Sequence, residues 1–344
     1  MYKAINRDTN AEIVILEPAW ADRLNSLRAW DRGDVLVCQE CQQPVRVRAG
    51  RVRAWHFAHK HREDCPLGRE SPQLLQARAA LYRWLVAKFG AERVTLEKRI
   101  NGSKLPRPVD CWVTGTQQSF AYWIFEAGLK PQRRDALHTA LNRPDVLAHW
   151  LFLSAMLQQD EDNRETVYLT TTEREFMQSS EYDQPTMPRG GSLHYLDQET
   201  GRVTTYRGLR LKHSPQVFQG KQRVHPLDEI LVSPKTGEFV HPGEHEQLQV
   251  YREEQQRQEK IIAKLTPLPS PQRPLIVPPP TIVVSPPLIS RSSADSFPPF
   301  PGGALDMPAG ICETCGEETR DWWYYDGKTG MCQCRKCQRK ERAA

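Results

Sequence analysis

The spacing of cysteine and histidine constrains this chain most. Cys38-x2-Cys41 is followed by His56, His59 and Cys65, and near the other end stand Cys312-x2-Cys315, Cys332 and Cys334-x2-Cys337. Zinc takes four sulfur or nitrogen ligands in a tetrahedron, and a C-x2-C turn presents two thiolates from one tight knuckle. In a reducing compartment, paired cysteines read as metal ligands before disulfides. The sequence therefore predicts two structural zinc sites bracketing the chain. The first takes Cys38, Cys41, Cys65 and one histidine. His59 is preferred because its spacing to Cys65 suits a short returning loop, which leaves His56 to pack or to orient a ligand. The second takes Cys312, Cys315, Cys334 and Cys337, the spacing of a zinc ribbon, with Cys332 an alternative to Cys334.

Between the ligands of the first site, VRVRAGRVRAWHF alternates apolar with basic residues about Ala49 and Gly50, the pattern of a β-hairpin. Arg46, Arg48, Arg51 and Arg53, with Trp55, would share one face. That face reads equally as a phosphate-contacting stripe or as a solvated edge. In the ribbon, Trp322, Trp323, Tyr324 and Tyr325 precede the basic tail Arg335, Lys336, Arg339, Lys340 and Arg342. These suit base stacking and phosphate contact, or, for the aromatics, packing of the ribbon itself or contact with a protein partner.

Composition narrows the classes. A chain of 344 residues accommodates two or three domains, and its net charge of +5 mildly favours an anionic partner. No apolar run approaches the ~20 residues that span a bilayer. The opening MYKAINRDTNAEIVIL lacks the form of a signal peptide, so a cytoplasmic protein without a membrane segment is expected. Many of the 27 prolines fall in 267–308, including PPP at 278–280, which predicts an extended linker. Its apolar TIVV at 281–284 is the one segment there that could dock as a strand. Residues 251–265 read as a polar helix.

The middle is the foldable part. Leu74, Arg78, Leu81, Leu85 and Phe89 recur at three- and four-residue steps behind Ser71-Pro72, predicting an N-capped helix over 71–89. Strands are predicted over 93–98, 109–114 and 119–126, a helix over 131–141 and a buried strand over 146–153. Further strands are expected over 166–172, 192–196 and 202–207, with hairpin turns at 197–201 and 233–237. Three acids fall on the first three strands: Glu97, Asp110 and Glu126. Carboxylates at neighbouring strand ends are what Mg²⁺ needs for phosphodiester hydrolysis. By residue type alone, they read more simply as ordinary surface acids.

The C-x2-C, the HFAH with its trailing cysteine, the Ser71 helix and the Glu/Asp/Glu strands together resemble the CoiA-like competence protein family over about residues 30–250. The resemblance implies an N-terminal zinc module joined to a restriction-endonuclease-like domain of PD-(D/E)xK type, linked to DNA processing in natural transformation. The fold class expected is α/β (α+β), with that core, the zinc-binding hairpin module, a β-rich appendage and a C-terminal zinc ribbon. The corresponding boundaries are 1–68 for the zinc module, 69–160 for the core, 161–250 for the appendage, 251–307 for helix and linker, and 308–344 for the ribbon. By the resemblance, Asp110 and Glu126 would hold Mg²⁺ or Mn²⁺, Glu97 would assist, and Lys130 would stabilise charge, with Arg134 an alternative. DNA is the expected partner, with a protein partner possible through the linker or ribbon. The chain departs from the family pattern at three places. Leu74 and Arg78 stand for a histidine and a lysine on the helix, and Ala127-Gly128 replace the residues that should follow Glu126, where the family has a glutamine. Two functions follow from this: a metal-dependent nuclease, or a catalytically degenerate DNA-binding or adaptor protein.

Overall fold

The computed structural model describes residues 1–50, 54–61, 65–68, 70–100, 102–103, 105–184, 190–212 and 214–265, and four short strands beyond them. The chain divides into two units, Met1–Ser270 and Pro271–Ala344. The proline segment 267–308, TIVV included, lies outside the described residues.

The first unit is organised by one mixed sheet of eight strands. It opens with β1 (Lys3–Asn6), β2 (Glu12–Val14), the short helices α1 (Ala19–Asp22) and α2 (Leu24–Arg32), and β3 (Leu36–Val37). The predicted hairpin follows as β4 (Val45–Arg48) and β5 (His56–His59), antiparallel with Val45 opposite His59. Then come α3 (Pro72–Phe89), β6 (Val94–Lys98), β7 (Val109–Val113), β8 (Ser119–Phe125), α4 (Pro131–Leu141) and β9 (Val146–Leu153). The remainder is β10 (Thr166–Tyr168), α5 (Thr171–Glu175), β11 (Gly191–Asp197), β12 (Arg202–Leu211), β13 (Val217–Pro226), β14 (Leu231–Val232), β15 (Phe239–Val240) and α6 (Glu244–Leu265). The large sheet runs β10-β13-β12-β11-β9-β8-β7-β6, so strands from 161–250 continue the sheet begun by residues 94–153. β8 and β9 are parallel, joined by the crossover through α4, while β6, β7 and β8 are antiparallel neighbours.

Alternation along β8 builds two cores. Phe120, Tyr122 and Ile124 enter the core shared with α3 and the N-terminal strands, whereas Ala121, Trp123 and Phe125 enter the core beneath α4 and α5. The helix α3 begins as its sequence requires: the Ser71 hydroxyl accepts the Leu74 N–H at 3.0 Å, and Pro72 occupies the first turn. One expectation is corrected. The strand predicted over 166–172 stops at Tyr168, and Thr171–Glu175 is helical, because Thr170 and Glu173 form a reciprocal capping box.

The β14–β15 hairpin locks onto the sheet through its turn. The turn at 233–237 closes with Gly237 at φ 75°, a conformation suited to glycine, and the Gly237 carbonyl accepts the Tyr122 hydroxyl at 2.7 Å. His149 bonds the Thr236 carbonyl at 2.9 Å and stacks on Tyr122 at 5.0 Å, while Phe239 stacks on Trp84 of α3 at 5.1 Å. α6 is anchored at its start, where Glu244 receives buried Arg207 through two contacts of 3.0 Å. Among the described residues no helix is long and apolar enough to cross a membrane.

In the second unit the described residues form two small antiparallel pairs. These are β16 (Gly310–Ile311) with β17 (Glu318–Thr319), and β18 (Trp322–Tyr325) with β19 (Cys332–Cys334). Cys312, Cys315 and Cys337, and the basic tail with Arg335 and Lys336, lie outside the described residues; Cys334 falls on a strand, opposite Trp322.

Burial of His149 has a consequence in solution. Burial lowers its pKa from 6.5 to about 4, so the folded chain holds it neutral while the unfolded chain takes up a proton first. Its contribution is complete above pH 6.5 and is lost as pH falls towards 4, on the order of 3 kcal/mol in all. Urea midpoints should therefore fall between pH 7 and pH 5, and His149→Gln should flatten that fall.

Candidate metal centre and the acid cluster beside it

The knuckle and the hairpin bring four ligand-type atoms together. Cys38, Cys41, His59 and Cys65 place one sulfur or nitrogen atom each within 4.8 Å of all the others. The Cys38 and Cys65 sulfurs are 3.8 Å apart, and the Cys41 sulfur is 3.2 Å from His59 Nε2. Local structure explains the convergence. The Gln42 N–H bonds the Cys38 carbonyl at 3.0 Å, closing the knuckle around Gln42 at φ 59°. Pairing of β4 with β5 then returns His59 to the knuckle, and the turn at Pro66–Gly68 follows Cys65 directly. Three thiols and an imidazole in a partly buried cluster are a donor set that could hold a zinc ion. Burial pushes the Cys38 and Cys65 thiols up, so a divalent cation would be what holds them as thiolates, with release of protons on binding. His56 lies at the far end of β5, its Nδ1 3.0 Å from the Ala54 carbonyl. Arg46 and Arg48 are exposed on β4, whereas Arg51 and Arg53 lie outside the described residues.

Residues 21–68 match one family model: Competence protein CoiA, N-terminal domain. All four residues of the cluster fall within that segment. Over it, the chain is similar to a competence-associated family. No curated protein and no solved structure matches the chain.

Beside the cysteine–histidine cluster lies a buried set of charges. Arg78 projects from α3 into the space between the N-terminal strands and β6 and β7, only 1% exposed. Its Nε donates to Asp110 Oδ1 at 2.7 Å, its NH1 to Glu97 Oε1 at 2.7 Å and Glu70 Oε2 at 3.0 Å, and its NH2 to Glu70 Oε1 at 2.5 Å. The acids carry further partners. Glu97 accepts the Tyr2 and Lys3 backbone N–H groups at 2.7 and 3.1 Å. Asp110 accepts Arg107 at 2.6 Å and the Ile124 backbone N–H at 2.7 Å. Burial would raise the Glu70 carboxyl, but the charge of Arg78 outweighs it and holds Glu70 at about 2. Burial likewise opposes the charge on Arg78, and the three carboxylates together hold it well above its ordinary value.

The knuckle and the charge cluster are tied to one another. Glu97 adopts φ 50°, a left-handed backbone conformation within a strand. Its carbonyl accepts Gln39 Nε2 at 3.3 Å, and Glu40, next along the knuckle, pairs with Arg99 just beyond β6.

Of the acids singled out by sequence, Glu97 and Asp110 thus meet at one guanidinium. Glu126 does not join them: it is exposed at the end of β8 and lines a cleft of about 610 Å³ together with Cys65, Glu70, Arg107, Gly128 and Arg133. Lys130 is exposed at the N-cap of α4. Arg134 pairs with Glu175. Glu70 and Arg107 were not foreseen. The available signal was Arg78 itself, a charged residue in the apolar stripe of α3, which demands buried acids as partners.

Two outcomes follow. Cys38→Ser or Cys65→Ser should lower the zinc content by one equivalent per chain and lower the melting temperature, whereas Cys111→Ser should leave zinc content unchanged; elemental analysis and thermal melts check both. Arg78→Met strands three buried carboxylates and should cost about 3–5 kcal/mol in urea denaturation, with a smaller loss for Arg78→Lys, which keeps the charge but not the fork.

Proposed function

We propose that this chain is a zinc-containing, competence-associated DNA-binding protein whose restriction-endonuclease-like core is catalytically degenerate. The observation that carries this reading is Arg78. Its guanidinium stands among Glu70, Glu97 and Asp110, where a nuclease would place its divalent cation.

The likeness to a PD-(D/E)xK core rests on element order. α3, three antiparallel strands β6 to β8, the crossover α4 and a parallel β9 are the expected succession, with Glu97 and Asp110 on the first two strands. The acids do not fit Mg²⁺ or Mn²⁺ in this arrangement. Both oxygens of Asp110 and both of Glu97 are engaged by protein donors, and an arginine stays charged at any pH the fold survives. A divalent ion would have to displace a buried guanidinium held by three acids. Glu126, at the end of β8, has Gly128 two residues on where a water-positioning side chain would be required, and Lys130 starts a different element.

DNA binding rests on other features. Arg46 and Arg48 present one basic face of β4, and the net charge is +5. Four of the five C-terminal cysteines, Cys312, Cys315, Cys334 and Cys337, would form the second zinc site by their spacing, next to stacking aromatics. Zinc in both sites is structural in this reading: it holds the knuckle and ribbon, and takes no part in a reaction.

The deciding experiment incubates the full chain with labelled single- and double-stranded DNA in Mg²⁺ or Mn²⁺. Binding that weakens with salt and no cleavage is expected. Arg46→Glu with Arg48→Glu should weaken binding across sequences and reduce the slope of log K against log salt by about 1 to 2. Metal-dependent cleavage that disappears with Asp110→Ala and Glu126→Ala would establish the nuclease instead.

A further inference from the structure

A second feature lies along β9, two strands away from β7. β9 is an interior strand, yet it is paired on both sides over only part of its length. Towards β8 it pairs from Val146 to Phe152. Towards β11 it pairs only from Leu151 to Leu153, opposite His194–Leu196. Its first half therefore has an open edge, and Leu147 and Ala148 are half-exposed within an eight-stranded sheet. An edge of this kind presents backbone N–H and C=O groups ready to pair with another strand.

Gln178 shows which backbone groups face the opening. Its own N–H and C=O pair with Ser192 at the start of β11, at 3.2 and 2.6 Å. Its side-chain Nε2 then reaches across and donates to the Ala148 carbonyl at 2.8 Å. A primary amide there stands in for the N–H of a missing strand. Because successive residues of a strand alternate their bonding direction, the N–H of Ala148, the Val146 carbonyl and the backbone groups of Trp150 point the same way, while the Val146 N–H is taken by the Arg143 carbonyl at 3.1 Å.

The opening is a groove of about 600 Å³. Five residues, Val146 to Trp150, span ~16 Å of strand, the reach of a short extended peptide. Its fixed charges are acidic: Glu175, Glu181 and Glu238 line it, no lysine or arginine is among its described lining residues, and the titratable bases there are His149 and His138, the latter 3.4 Å from Glu175. Glu175 and Glu181 are shared with Arg134 and Arg252, while Glu238 accepts the Thr236 hydroxyl at 3.2 Å. Half-buried Leu147 and Ala148 supply apolar surface beside the acids, with Trp150 and Phe176 buried behind them in edge contact at 4.6 Å.

We propose that the groove beside β9 binds a basic, extended peptide segment of a protein partner by strand addition. The peptide pairs with the open edge at Ala148, displaces the Gln178 amide, and sets its lysine or arginine side chains against Glu175, Glu181 and Glu238. Main-chain bonds supply affinity and alternate side chains supply selectivity, as in other strand-addition complexes. This is independent of the DNA-binding reading, since it uses neither the zinc cluster nor the arginine face of β4.

The test is fluorescence anisotropy of the full chain with a labelled lysine–valine alternating hexapeptide, beside its glutamate–valine counterpart. The lysine peptide should bind and the glutamate peptide should not, although the net charge of the chain favours the reverse. Ala148→Pro removes one groove-facing N–H without touching the bonds to β8, and should weaken binding about tenfold. Circular dichroism and the melting temperature establish that this variant is folded. A lysine–valine peptide N-methylated at alternate residues needs no variant, and should also lose binding. Glu238→Gln with Glu181→Gln should weaken it several-fold. No binding of the lysine peptide by folded protein overturns the proposal, as does equal binding of the N-methylated or glutamate peptide. Concentration-dependent dimers abolished by Ala148→Pro would also overturn it, by making a second copy the occupant.

Discussion

The Arg78 guanidinium is the interaction around which the first unit is assembled. It comes from α3 and meets acids from β6, from β7 and from the segment just before α3, and one of those acids in turn holds the backbone of β1. A buried arginine is tolerable only when its charge is matched and its donors are satisfied. Here each guanidinium nitrogen has a carboxylate partner, so the N-terminal strands, the helix and the sheet are fixed relative to one another by a single side chain. The surrounding apolar core supplies the bulk of the stabilisation, and the ionic cluster joins the elements that core packs together.

This arrangement also sets what the acids are available to do. Carboxylates on adjacent strands attract a divalent cation when they are free, whereas here Arg78 occupies Glu97 and Asp110. A lysine there could be drawn aside and leaves oxygen lone pairs unspent, whereas the planar fork of arginine engages Asp110, Glu97 and Glu70 together. The Cys38–Cys41 knuckle acts on the same strand, because Gln39 and Glu40 grip the chain at and just beyond the end of β6, where Glu97 holds its left-handed conformation.

Much of the architecture was legible from local pattern. Ser71-Pro72 marks the start of α3, an apolar run marks β8, and the hairpin between the ligands follows from the alternating arginines and valines of β4. The misplaced strand over 166–172 shows the limit of that reading: a β-branched run looked extended, and the reciprocal bonds of Thr170 and Glu173 turned its end into helix. The partial pairing of β9 was not legible at all. Apart from His149, its sequence, VLAHWLFL, is apolar, and its pattern does not show which half meets β11 and which meets a glutamine side chain.

By itself the sequence determined the kind of chemistry each segment carries: ligand spacing for a metal, acids on strands, an apolar helix with one arginine in its stripe. These are local properties, set by residue type and by periodicities of two and 3.6. Only the tertiary structure decided which groups meet. His59 rather than His56 reaches the three thiols because β5 pairs with β4 in one register, and Glu97 and Asp110 face Arg78 while Glu126 faces a cleft because strand order and twist send their ends to different places. Contact between residues far apart in the chain depends on the summed packing of everything between them, and no short stretch of sequence encodes that sum.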